Sequence, residues 1–212
     1  MARLTGGSYY LDGQLCHMDI HGLAPYLEFS AVEQAPARLV MELASGEETL
    51  EKYPRAFVFR IVYELRGGNT LSVTYGVENR DENRLYFGLG THPGFRLPLW
   101  KGRRFEDYRL RFQPGCAPRR IGFTPDCFLD GTDRPFPLAD GQYLPLSHRV
   151  FDNDAIVLRD AGHQITLETA GDERSVTVDF SEIAVCGVLA SAPNGRALYL
   201  YRALVFVAVK KR

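Results

Sequence analysis

Phe57-Val58-Phe59-Arg60-Ile61-Val62-Tyr63-Glu64-Leu65, then Arg66-Gly67-Gly68-Asn69-Thr70, then Leu71-Ser72-Val73-Thr74-Tyr75-Gly76-Val77 carries the strongest secondary-structure signal of the chain. Two runs rich in β-branched and aromatic residues flank a Gly-Gly-Asn turn, which is the pattern of a β-hairpin. In the second run Leu71, Val73, Tyr75 and Val77 fall on one face, with Ser72 and Thr74 on the other. Working outward, further short strands are predicted over 8–11, 28–34, 37–43, 86–89, 155–158, 164–168, 175–180 and 184–189. No long window carries helical periodicity. Short strands at regular spacing, punctuated by turn residues, predict an all-β sandwich or barrel. Residues 103–143, rich in Pro, Gly, Arg and Asp, read as a long irregular excursion of the kind that borders a site. No repeat or composition break marks a second domain, so 1–212 is expected to be one domain.

The bulk properties exclude several classes. The chain has 212 residues, 45% of them hydrophobic and 24% charged, with a net charge of −1. That balance gives no electrostatic basis for binding nucleic acid or an anionic membrane. No apolar run reaches the ~18 residues of a membrane span, and the N-terminus lacks the apolar core of a signal peptide. Cys16, Cys116, Cys127 and Cys186 lie far apart with no CxxC pair. Reduced thiols in a cytoplasmic protein are the simplest expectation, with disulfide pairing left open.

The richest chemistry lies at Gly88-Leu89-Gly90-Thr91-His92-Pro93-Gly94-Phe95-Arg96-Leu97-Pro98-Leu99. His92 sits between a glycine-rich approach and a proline, after the aromatic run Leu85-Tyr86-Phe87. Glycines let the backbone approach a ligand closely, and Pro93 sets the direction in which the chain leaves. A half-buried turn histidine is the plain alternative. His21 follows His17 by four residues, so on one strand both would point the same way and could bind a metal. No third ligand accompanies them, and neither a metal nor a nucleotide cofactor is called for.

Taken in order, the motifs resemble the aldose 1-epimerase (galactose mutarotase) family, in its bacterial hexose mutarotase-like branch. The resemblance runs through Ala2-Arg3-Leu4, Tyr10-Leu11-Asp12-Gly13, His21-Gly22-Leu23-Ala24 with Glu28-Phe29, and Tyr53-Pro54 with Phe57. It continues through the Leu71 to Asn79 strand, the His92 segment, and Asp152-Asn153-Asp154-Ala155-Ile156-Val157-Leu158. It implies a large antiparallel β-sandwich and a chemistry. A carboxylate takes the proton from the anomeric hydroxyl while a histidine protonates the ring oxygen. The ring opens, C1–C2 rotates, and the ring recloses on the other face. On this resemblance His92 is the acid and His21 the second histidine, bonding sugar oxygens near the reacting centre. Arg3 and Asp154 grip ring hydroxyls, and Tyr10, Phe87 and Phe95 offer apolar faces to the C–H side of the ring. Each has a plainer rival: Arg3 is a chain-terminal residue, and Asp154 or Asp152 can simply cap a turn. The ligand implied is a hexose or hexose phosphate; Arg103, Arg104, Arg119 and Arg120 suit a phosphate or form a solvated face.

The chain also departs from the family pattern. Relatives begin several strands upstream of the Arg3 motif; missing edge strands would leave pairing positions open, which either a homodimer covers or the protein tolerates at lower stability than its relatives. Pro25 stands where the family often has arginine, and Leu189 where it often has tryptophan. After Ser191-Ala192-Pro193-Asn194-Gly195-Arg196-Ala197 the family reaches a Glu-Pro-Trp motif whose glutamate is the base. This chain reads Leu198-Tyr199-Leu200-Tyr201-Arg202-Ala203-Leu204-Val205-Phe206 instead. One set of codons for those residues, read one base later, encodes Tyr-Ile-Cys-Ile-Glu-Pro-Trp-Cys. A single-base frameshift near Ala197 is therefore expected, making 198–212 an out-of-frame tail; codons in the gene that exclude the shifted frame would overturn it. Glu168, Asp179 and Glu182 are the carboxylates that could replace the lost base. Three functions stay in contention: a mutarotase with weakened activity, a non-catalytic sugar-binding protein, and a partly folded remnant of a mutarotase gene.

Overall fold

Strands Phe57–Arg66 and Thr70–Asn79 pair antiparallel along their whole length, from Phe57↔Asn79 to Arg66↔Thr70. This computed structural model describes residues 4–91, 93–152, 155–180, 185–190 and 197–209. At the hairpin tip Gly68 (φ +73) and Asn69 (φ +59) are both left-handed. That backbone matches strand twist, which explains why Gly and Asn occupy these two places.

The described residues fall into two compact units, one within 1–88 and 206–212 and the other within 89–205. The first contains β1 (Ser8–Leu11), β2 (Gln14–His17), β3 (Ser30–Ala35), β4 (Arg38–Ala44), the short helix α1 (Glu47–Lys52), and the hairpin strands β5 (Phe57–Arg66) and β6 (Thr70–Asn79). Strand β7 (Leu85–Thr91) follows. β1 and β2 form a separate hairpin, while β3, β4, β5 and β6 make an antiparallel sheet in sequence order. The register puts Leu39, Met41 and Leu43 beside Tyr63, Ile61 and Phe59, and these beside Val73, Tyr75 and Val77. Across β4, β5 and β6 one face of the sheet is thus apolar, while β3 places Gln34 beside Leu39. The base of this face is buried, with Phe29 edge-on to Phe59 and Phe59 stacked on Tyr75. Toward the tip it opens, and Leu65 and Leu71 are 64% and 55% exposed. The opposite face carries ion pairs, Arg60 to Glu42 (2.6 Å) and Glu78 (3.1 Å), and Arg38 to Glu33 (2.9 Å) and Glu64 (2.5 Å). Being exposed, these order the surface more than they stabilise it.

Tyr53, at the end of α1, is buried, and its hydroxyl donates to the Tyr86 carbonyl (2.6 Å) and accepts from the Tyr86 N–H (3.0 Å). Tyr53→Phe would leave both backbone groups of Tyr86 without this partner. It is expected to cost about 1–3 kcal/mol, read as a lower denaturation midpoint at unchanged m.

The second unit contains β8 (Gly94–Arg96), β9 (Tyr108–Phe112), β10 (Arg119–Phe123), β11 (Leu129–Pro135), β12 (Tyr143–Pro145), β13 (Ile156–Arg159), β14 (Gln164–Thr169), β15 (Ser175–Asp179), β16 (Val185–Ala190) and β17 (Ala197–Val209), which extends past it. One sheet has the order β12-β9-β14-β15; another runs β11-β10-β13-β16-β17, with β8 also paired to β17. All the pairings are antiparallel. Leu110, Leu144, Ile165 and Leu167 of the first sheet share one core cluster with Ile156 and Leu158 of the second. The two sheets therefore pack as the expected β-sandwich.

The region 103–143 corrects the irregular excursion predicted for it, because it holds three strands and the start of a fourth. Tyr108-Arg109-Leu110-Arg111-Phe112 alternates strictly: its three apolar residues are buried in the core, and its arginines point out to Glu168. The long Pro-, Gly- and Asp-rich connections on either side obscure so short a pattern in the sequence. β2, β8, α1 and β17, which runs through the expected out-of-frame tail, also lie outside the predicted elements, and β3 begins at Ser30 rather than at 28. Elsewhere the predicted strands form with ends shifted by one or two residues.

Candidate functional site

Gly22 N–H donates to the Asp19 carbonyl at 3.0 Å, closing the turn Asp19-Ile20-His21-Gly22. His21 lies in it with φ +69, in the left-handed region that a β-carbon disfavours. The turn is held from outside at two further points. Lys52 Nζ meets Asp19 Oδ2 at 2.6 Å, and the Tyr26 hydroxyl donates to the Ile20 carbonyl at 2.9 Å. His21 itself is exposed to solvent. His17, by contrast, ends β2, so the two histidines do not share a strand as the metal alternative required. Among the described residues no group of three His, Cys, Asp or Glu side chains is arranged to hold a metal ion.

Pro25 sits inside the short 3-10 turn Ala24–Tyr26 that follows. This turn brings Tyr26 back onto Ile20. Tyr26 also lines an open groove of about 380 Å³ with Leu27, Glu28, Leu43, Glu47 and Glu48.

The other predicted site residues are placed less completely. His92, Arg3 and Asp154 lie outside the described residues. The chain on either side of His92 is described: β7 ends at Thr91, and Gly94 opens β8. Phe95 is half-buried and packs against the core of the second unit. Tyr10 is 74% exposed on β1, and Phe87 is half-buried on β7.

Of the carboxylates weighed as a replacement base, Glu168 is taken. Arg109 Nε and Arg111 Nε donate to its two oxygens at 2.9 and 2.8 Å. Burial alone would raise the Glu168 carboxyl, but these bonds outweigh it and hold the group below its usual range. Asp179 accepts from Gln164 Nε2 at 3.3 Å, and Glu182 lies outside the described residues. Of the four arginines considered for a phosphate, three are engaged: Arg103 with Asp172 (3.5 Å), Arg104 with Asp107 (3.6 Å) and Arg119 with Asp133 (2.8 Å); Arg120 makes no ion pair among the described residues. Cys16, Cys116 and Cys127 form no disulfide among the described residues. Among the described residues no helix is long and apolar enough to cross a membrane.

What sequence reasoning missed is the support of His21. Lys52 and Asp19 are 33 positions apart, and no local pattern links them.

Comparison with known proteins places these features in a family. The sequence pattern of aldose 1-epimerase matches residues 2–184, a span that includes Arg3, His21, His92, Phe95 and Asp154. The plasmid and chromosomal forms of Protein LacX from Lactococcus lactis subsp. lactis are each 30% identical over 166 residues. That alignment covers 76% of this chain and 55% of LacX, so the chain spans about half the length of these curated relatives. A galactose mutarotase related enzyme from Lactobacillus acidophilus superposes with TM-score 0.82 at 26% identity, over 93% of this chain and 66% of its own. A galactose mutarotase-like protein from Lactobacillus casei ATCC 334 does so with TM-score 0.82 at 27% identity, over 93% and 68%.

Proposed function

This chain belongs to the aldose 1-epimerase family, and on that premise we propose that it binds a hexose and interconverts its α and β anomers by acid–base ring opening. The observation that carries this reading is that every proposed sugar-handling residue falls within the matched span 2–184. His92 is the proposed acid toward the ring oxygen, and His21 the second histidine. Both need only hydrogen-bond reach of a bound sugar and an imidazole that changes charge near neutral pH.

The state of the carboxylates bears on rate. A positioned general base is worth ~10²–10⁴-fold. No acidic residue follows Ala197, where the family's glutamate base is expected. Glu168 cannot replace it while two guanidiniums hold it, so turnover is expected to be slow and binding to outlast it. Arg103, Arg104 and Arg119 already meet carboxylates, which leaves Arg120 as the one candidate for a phosphate unpaired among the described residues and favours a free hexose over a hexose phosphate. Binding without turnover is the second reading, favoured by the occupied Glu168.

The test is NMR exchange between α and β anomers of galactose, glucose and glucose 6-phosphate, with wild type beside His92→Ala. Exchange above the spontaneous rate that vanishes in the variant supports the epimerase reading. Saturable sugar shifts without added exchange support the binder. Absence of both overturns the sugar assignment.

A further inference from the structure

Lys52 and Tyr26 stand outside the acid–base scheme, yet both close on the turn that carries His21. We propose that these two residues are positioning residues that lock the His21 turn into its left-handed form and so aim the imidazole at a bound sugar. The proposal rests on the assignment of His21 to the hexose site.

The geometry is a chain of supports within one unit. The base of the brace is the C-terminus of α1. There the Tyr9 hydroxyl, on β1, donates to the Lys52 carbonyl at 2.7 Å, and the Tyr53 N–H donates to the Thr49 carbonyl at 2.8 Å. The Tyr53 hydroxyl then grips both backbone groups of Tyr86. The backbone from which the Lys52 side chain springs is therefore anchored to two strands. From it the ammonium reaches Asp19 Oδ2 at 2.6 Å. That contact raises the Lys52 ammonium above its usual range, as does the field of Glu48 and Glu51. The Tyr26 hydroxyl holds the next residue, Ile20, by its carbonyl at 2.9 Å. Met18 N–H, just before the turn, donates to Gly7 O at 2.9 Å.

An exposed ion pair taken alone contributes little, and Lys52 and Asp19 are 38% and 54% exposed. Its setting gives it a role. A non-glycine residue at φ +69 carries a backbone cost that surrounding contacts can offset. The turn's own Gly22–Asp19 bond is also available to turns whose third residue has negative φ, so it does not select the left-handed form. The two side-chain contacts hold the turn at Asp19 and Ile20, the two residues just before His21. Without them the turn loses two of the contacts that favour this backbone over its alternatives.

The experiment uses the full chain as wild type, Lys52→Met, Lys52→Arg, Tyr26→Phe and the Lys52→Met/Tyr26→Phe double variant. Three quantities are read: the His21 amide–α coupling and Cβ shift, galactose and glucose affinity by titration, and the melting temperature. Expected is a change of the His21 signals in the double variant, with sugar binding ~5-fold weaker and little change in melting. Lys52→Arg, which keeps a donor, is expected to restore wild-type behaviour. His21 signals that do not move in the double variant overturn the proposal, whatever the sugar affinity. Moved signals in a protein whose wild type binds no sugar uphold the brace and overturn the hexose reading instead.

Discussion

Leu110→Ala is expected to destabilise the second unit by about 2–5 kcal/mol, the range for deleting a fully buried leucine side chain. Leu110 is 0% exposed at the centre of β9, opposite Leu167 of β14, in the cluster that includes Ile156 and Leu158 of the facing sheet. Neighbouring strands on both sides fix β9 in place, so the cavity has little room to collapse. Leu110→Asp is expected to lose the unit altogether, because it strands a carboxylate among apolar side chains. The chain's one tryptophan, Trp100, packs against this same core and lies under Arg174 at 4.5 Å. Its fluorescence during denaturant unfolding is therefore the natural probe. A loss below about 1 kcal/mol for Leu110→Ala would mean that β9 is not a central core strand.

Asp81→Ala is expected to cost the first unit about 3 kcal/mol. Asp81 follows β6 and ties its exit to the start of β5. Its carboxylate accepts from Ala56 N–H (3.1 Å) and Asn83 N–H (2.9 Å), and lies 4.0 Å from the buried Arg55 guanidinium. Hydrogen bonds to charged groups contribute about 1.5–3 kcal/mol each. With Asp81 partly exposed, the low end for two bonds is the fitting figure. Asp12 still faces Arg55 in the variant, so that guanidinium keeps an anionic neighbour. Asp81→Asn retains acceptor oxygen and is expected to recover roughly half the loss.

The same residue sets a pH dependence. The N–H groups of Asn83 and Ala56 hold the Asp81 carboxyl below its usual range. Its contribution is therefore present above the ordinary carboxylate value and is lost as pH falls through the lower folded one. Acid titration of stability should show a shallower decline in Asp81→Asn than in wild type. Equal slopes would mean that other carboxylates carry the acid sensitivity.

The hairpin shows what a sequence can specify unaided. Alternation in 71–77 and the Gly67-Gly68-Asn69 turn are local, so strand, face and turn conformation follow from neighbouring residues alone. The candidate site was legible to a lesser degree: His21 and His92 stand out because glycine and proline next to a histidine are local signals too. Tyr108 to Phe112 was missed, since five alternating residues carry little weight inside a segment full of turn formers. Other features had no local signal at all. Which residues brace His21 depends on Lys52 lying across from Asp19, and whether Glu168 is available depends on Arg109 and Arg111 two strand positions apart on its neighbour. How far the apolar face of β5 and β6 is covered was equally unreadable from its own residues. The sequence by itself determined an antiparallel all-β protein of the aldose 1-epimerase family, because strand period, turn chemistry and ordered motifs are written in consecutive residues. Only the tertiary structure decided which charges are paired, which apolar faces are buried and which turn is held, because those depend on partners that meet when distant segments fold together.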